Sequence, residues 1–103
     1  MLIQKSTIGV GDVVVLKVRD MEGEIIARVV KYADQRMTVT KPLVAHVMQQ
    51  QGGIGLAFMP FSLSARDSEE FEFGEDMLMV KPFLARDEVK STYLEQTTSL
   101  QLP

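Results

Sequence analysis

Apolar and polar positions alternate with period two in short blocks along this chain, and glycine, proline or charged turns separate the blocks. That pattern predicts an all-β fold rather than alternating β and α units. The first block, Asp12 to Arg19, is opened by Gly9 and Gly11 and places Val14, Leu16 and Val18 on one face. On the other face Val13 and Val15 give way to Lys17 and Arg19, so the strand is expected to be buried at its start and wetter at its end. Met21-Glu22-Gly23 supplies a turn, with Gly23 free to take a positive φ. The second block, Glu24 to Ala33, sets Ile25, Ala27 and Val29 against Ile26, Arg28, Val30 and Tyr32. Arg28 is costly to bury without a partner, so the Ile25/Ala27/Val29 face is expected to form the core. Ile26, Val30 and Tyr32 are then left for a neighbouring subunit.

Asp34-Gln35-Arg36 is expected to close a hairpin, because Asp34 can hydrogen-bond its own turn. The third block runs from Met37 to about Met48, and Pro42, which has no N–H for a ladder, predicts a bulge or a switch to an edge. A polar loop follows from Gln49 to Gly53. Strand patterning resumes over Leu56 to Leu63, and Ser64 to Glu70 is a charged connection. Phe71-Glu72-Phe73 meets the turn Gly74-Glu75-Asp76, and Met77 to Phe83 reads as the last strand. From Asp87 the pattern becomes helical over about 87–97: Asp87 suits an N-cap, Glu88 the first turn, and Val89, Tyr93 and Leu94 share a face. The terminal TTSLQLP reads as a frayed end.

With 103 residues the chain is read as a single domain, 1–103, with strands within 12–83. A 46% hydrophobic and 24% charged composition fits a soluble globular domain, with no apolar run near the roughly 20 residues of a spanning helix. The start, MLIQKSTIGVGD, lacks the apolar stretch of a secretory signal, so a cytoplasmic location is expected. The absence of cysteine excludes disulfides, thiolate metal sites and cysteine nucleophiles. A core this small is then expected to gain surface by oligomerising. A formal charge of −3 gives no general attraction to nucleic acid or acidic membrane.

Catalytic chemistry is poorly represented. His46 is the only histidine, so a metal site around it would have to draw on scattered carboxylates, and an ordinary strand histidine is expected. Gly52-Gly53-Ile54-Gly55 lacks the Lys-Ser/Thr of a phosphate loop, and the pairs Glu69/Glu70 and Glu75/Asp76 read as solvated. No enzymatic activity and no cofactor are therefore expected, which leaves binding.

The stretch GEIIARVVKYADQRMTV carries the sharpest signal. Gly23, the apolar Ile26 and Val30, Asp34 eleven positions after the glycine, and then Met37 and Val39 resemble the first motif of the Sm/LSm family. Phe73-Gly74-Glu75-Asp76 followed by Met77-Leu78-Met79-Val80 is similar to the family's second motif. The small Sm-like proteins of marine cyanophages are the branch the chain looks most like. The resemblance implies a small, strongly bent five-stranded Sm-like (SH3-like) barrel, here with a C-terminal helix. It also implies a homo-oligomeric ring, joined by pairing between the fourth strand of one subunit and the fifth of the next.

In that family the pore-side turns hold single-stranded RNA, as in RNA chaperones and regulators. Carried over residue by residue, the implied RNA-binding positions are Asp34, Arg36, Thr38, Gly74, Glu75 and Asp76. A base would rest on the Arg36 guanidinium and Thr38 would bond its edge. The chain departs from the family pattern at Arg28, where a glycine is usual, at Thr38, where the pocket asparagine falls, and at Phe73, where an arginine is usual. Family members commonly place their helix before the first strand. With two carboxylates in the second turn, the alternative expectation is a phage structural or protein-interaction ring that binds no nucleic acid. A phage origin would place either in the host bacterial cytoplasm, with no membrane partner.

Overall fold

The computed structural model describes residues 7–98. Six strands, β1 (Val13–Leu16), β2 (Glu24–Ala33), β3 (Arg36–Gln50), β4 (Gly53–Pro60), β5 (Glu70–Gly74) and β6 (Phe83–Leu84), precede one helix, α1 (Asp87–Thr98). All pairings are antiparallel, in the order β4-β3-β2-β1-β6, with β5 also on β3. The sheet is open and has six strands, so the expectation of a closed five-stranded barrel is corrected on both counts. An isolated bridge, Val18 to Leu78, joins the end of β1 to the segment after β5. There the Arg19 N–H donates to the Met77 carbonyl at 2.9 Å, and the Met79 N–H to the Lys17 carbonyl at 2.8 Å.

That bridge, a 3-10 turn at Glu75–Met77 and the two-residue β6 stand where one last strand from Met77 to Phe83 was expected. Pro82, just before β6, has no N–H, so a continuous ladder cannot pass through it. The first hairpin is also tighter than its sequence suggests. Asp34 and Gln35 alone form the turn, with φ of 55° and 62°, and Arg36 already belongs to β3. Two positive-φ residues give the turn the twist that two paired strands need. Similarly, β3 extends to Gln50 and β4 begins at Gly53, which shortens the expected polar loop to Gln51-Gly52.

Pro42 does mark a bulge. Ile26 pairs with Leu43 and Arg28 with Thr40, so Lys41 and Pro42 together oppose Ala27, with Lys41 at φ 51°. The bulge divides the partners of β3: residues 36–40 pair with β5, and residues 43–50 with β4. A second register step places Val30 as the extra residue between the Val29–Val39 and Lys31–Thr38 pairs. A one-residue insertion reverses the faces beyond it, which brings Tyr32 against the main core.

That core contains Val14, Leu16, Ile25, Ala27, Val29, Met37, Val39, Phe73 and Leu78, and includes the expected β2 face. A second cluster, Val13, Val15, Ile26, Ala45 and Tyr93, lies on the other side of the sheet. The assignment of Ile26 to a neighbouring subunit is therefore corrected: α1 covers it with Tyr93, while Val89 and Leu94 flank the cluster as their shared face predicts. The Tyr93 hydroxyl donates to the Lys41 carbonyl at 2.8 Å and lies 3.3 Å from that of Thr40, tying the helix to the bulge. Thr97 and Thr98 belong to α1, and the rest of the expected frayed end, 99–103, lies outside the described residues, as do 1–6 at the start. Among the described residues, no helix is long and apolar enough to cross a membrane.

Candidate ligand-binding turns

Both turns singled out by their sequence lie at one end of the molecule. Pairing of β3 with β5 sets Arg36 opposite Gly74 and Thr38 opposite Glu72, and the Glu75 N–H donates to the Gln35 carbonyl at 2.9 Å. The 3-10 turn therefore begins directly against the β2–β3 turn. Gly74 is needed for more than flexibility: a Cβ there would lie 2.5 Å from Asp76 Oδ1 and 3.1 Å from Arg36 Nη1. Its bare backbone lets the guanidinium and the carboxylate converge.

The polar groups of this end are largely engaged with one another. Arg36 Nε is 3.1 Å from the Glu72 carboxylate, and Arg19 Nε donates to the Asp76 carbonyl at 3.2 Å. The Tyr32 hydroxyl donates to Glu75 Oε2. That hydrogen bond, reinforced by burial and by the charge of Glu75, pushes the Tyr32 hydroxyl up to about 12, so it remains a donor at neutral pH. Asp34, Glu72, Glu75 and Asp76 outnumber the cations Arg19 and Arg36, and also the three cations if Lys31, across from Thr38, is included. A site of this charge accepts cationic or hydrogen-bond-donating groups more readily than phosphates.

Structure thus brings Arg36, Thr38, Gly74, Glu75 and Asp76 together beside the Asp34 turn, and adds Arg19, Tyr32 and Glu72. Glu72 alternates with the two phenylalanines of β5, but its pairing with Arg36 depends on the β3–β5 register, which no local pattern discloses. Elsewhere, His46 Nε2 lies 3.3 Å from the Met59 sulfur, and the described residues contain no group of three His, Cys, Asp or Glu suited to a metal ion. A cavity of about 420 Å³ lies between the β3 bulge, the 61–69 connection and the end of α1, walled by Lys41, Pro42, Pro60, Arg66, Phe71 and Gln96. None of the expected site residues lines it.

No family model matches the chain, and no curated protein matches it. The class the fold defines is a small antiparallel β-sheet domain with a C-terminal helix.

Proposed function

We propose that the chain is a non-catalytic Sm-like assembly module whose turn end engages protein rather than RNA. The observation that carries this reading is the state of Arg36, the expected base platform: its guanidinium is paired with Glu72, at an end of the molecule where Asp34, Glu72, Glu75 and Asp76 outnumber the cations. The pair itself is exposed and weak, but a nucleotide's phosphates would face a net negative surface. A partner segment rich in lysine, arginine or backbone donors meets no such obstacle. The ring implied by the resemblance repeats the site on each subunit, so weak contacts gain avidity.

Titration of labelled uridine-rich and adenosine-rich single strands in low salt tests this reading, and no saturable anisotropy change is expected. Saturable binding that weakens with added salt and disappears in Arg36→Ala would overturn it. That outcome would establish the second reading, an RNA-binding ring, which is favoured by the convergence of Arg36, Thr38 and Gly74 on one end. Native mass measurement tests the ring itself, which a purely monomeric species at micromolar concentration would exclude.

A further inference from the structure

The only histidine of the chain stands against a methionine of the neighbouring strand. β3 pairs with β4 so that Val44 lies opposite Met59 and His46 opposite Ala57, which makes His46 and Met59 diagonal neighbours on one side of the hairpin. Val44 packs against the main core, so this is the side away from α1. His46 Nε2 is 3.3 Å from the Met59 sulfur. The other ring nitrogen sits at the Gly23 turn, where a Cβ on Gly23 would lie 3.6 Å from Nδ1. That placement leaves Nε2 to face the thioether. Met48, two residues along β3, brings a second thioether to the same side.

A neutral imidazole nitrogen and a thioether sulfur each carry a lone pair, and two such donors side by side can share a metal ion. Bonds of about 2.0 Å to nitrogen and 2.3 Å to sulfur set the donors about 3.5 Å apart at a tetrahedral angle. The observed separation is close to that bite, and the unbranched methionine adjusts it by bond rotation. We infer that His46 Nε2 and Met59 Sδ hold a soft monovalent cation, Cu(I) or Ag(I). Thioether sulfur is uncharged and polarisable, so it selects such ions over hard divalent cations, which take oxygen ligands. Met59 is 52% exposed and Met48 47%, so the ion reaches the pair from solvent. Lys17, Glu22 and Glu24 line the depression beside His46, and Lys17 is 3.6 Å from Glu24, which leaves the local charge net negative. Both donors project from the face of the sheet, whereas pairing along the β4 edge would use backbone groups.

Silver nitrate in buffer free of chloride and thiols is the probe, with the methionine methyl groups labelled for NMR. Because the chain has one histidine, its ring signal identifies itself. Ag(I) is expected to shift the His46 ring and Met59 methyl signals together and to saturate at a single equivalent. By titration calorimetry, His46→Phe and Met59→Leu are each expected to weaken binding at least about tenfold, a loss that even the outer partners of a metal site can cause. Met79→Leu, at an exposed methionine away from the hairpin, is expected to leave it unchanged. Zn(II) at equal concentration is expected to leave the Met59 methyl unmoved. Met59→Leu keeps the side-chain volume, so its thermal melt is expected to match the parent's and its affinity alone decides. Absence of saturable Ag(I) binding, full affinity in Met59→Leu, or equal weakening in Met79→Leu would overturn the inference.

Discussion

Removal of one hydroxyl tests how the helix is attached to the sheet. Tyr93 is fully buried, and its hydroxyl bonds a carbonyl of the Lys41-Pro42 bulge, where the ladder has been interrupted. Tyr93→Phe keeps the ring in place and deletes only this bond. A typical net hydrogen bond is worth about 1 kcal/mol, and an orphaned buried acceptor costs about 1–3 kcal/mol. A loss of about 1.5 kcal/mol is therefore expected. For a domain of this size it lowers Tm by about 6 °C in a thermal melt followed by circular dichroism.

The same hydroxyl gives the variant a pH signature. Burial pushes it up to about 12 against the opposing charge of Arg28, whereas in the unfolded chain it titrates near 10. Folding thus favours the protonated form, so this contribution is complete below pH 10 and is lost as pH rises towards 12. A shift of this size corresponds to on the order of 3 kcal/mol of pH-dependent stability. Tyr93→Phe is expected to flatten the alkaline limb of a urea-midpoint profile by a comparable amount. An unchanged Tm together with an unchanged alkaline limb would refute the attachment of α1 through this bond.

Other perturbations address the turns. Gly23 has φ +83°, and a Cβ there would come within 2.8 Å of the Ala45 carbonyl oxygen, so Gly23→Ala is expected to cost at least about 1 kcal/mol in urea unfolding. A neutral urea midpoint would contradict the close approach of this turn to β3. Glu75→Gln removes the charge that holds the Tyr32 proton, and ultraviolet titration is expected to show one tyrosine moving down from about 12 towards its ordinary value. No movement would mean that the Tyr32–Glu75 bond does not form in solution.

Local patterning carried the early part of the fold well. The alternation of β2 marks Ile25, Ala27 and Val29 as core, Pro42 marks the bulge, and Asp87 marks the helix start. Where reading by pattern failed, a distant element had intervened. Ile26 looks like a surface for a neighbour because Arg28 shares its face, but α1 folds back over it from some sixty residues away along the chain. Tyr32 changes sides because Val30 is inserted into the register, and a strand's own sequence does not show which residue its partner skips. The candidate site followed the same rule: motif spacing brought out Arg36, Thr38 and Gly74, while the neutralising partner Glu72 depended on long-range pairing.

The Lys41-Pro42 bulge also separates two kinds of constraint along β3. Pairing with β2 ends at Ala45, so from His46 to Ala57 the hairpin is supported by its own two strands and by the side chains at its base. Its length is therefore free to vary without disturbing the registers that align the turns at the opposite end. A shortened chain, with residues 47–56 replaced by a two-residue turn, should retain the Tyr32–Glu75 bond and both apolar clusters. The hairpin tip and the turns at the far end can thus change independently, as two uncoupled ends of one small sheet.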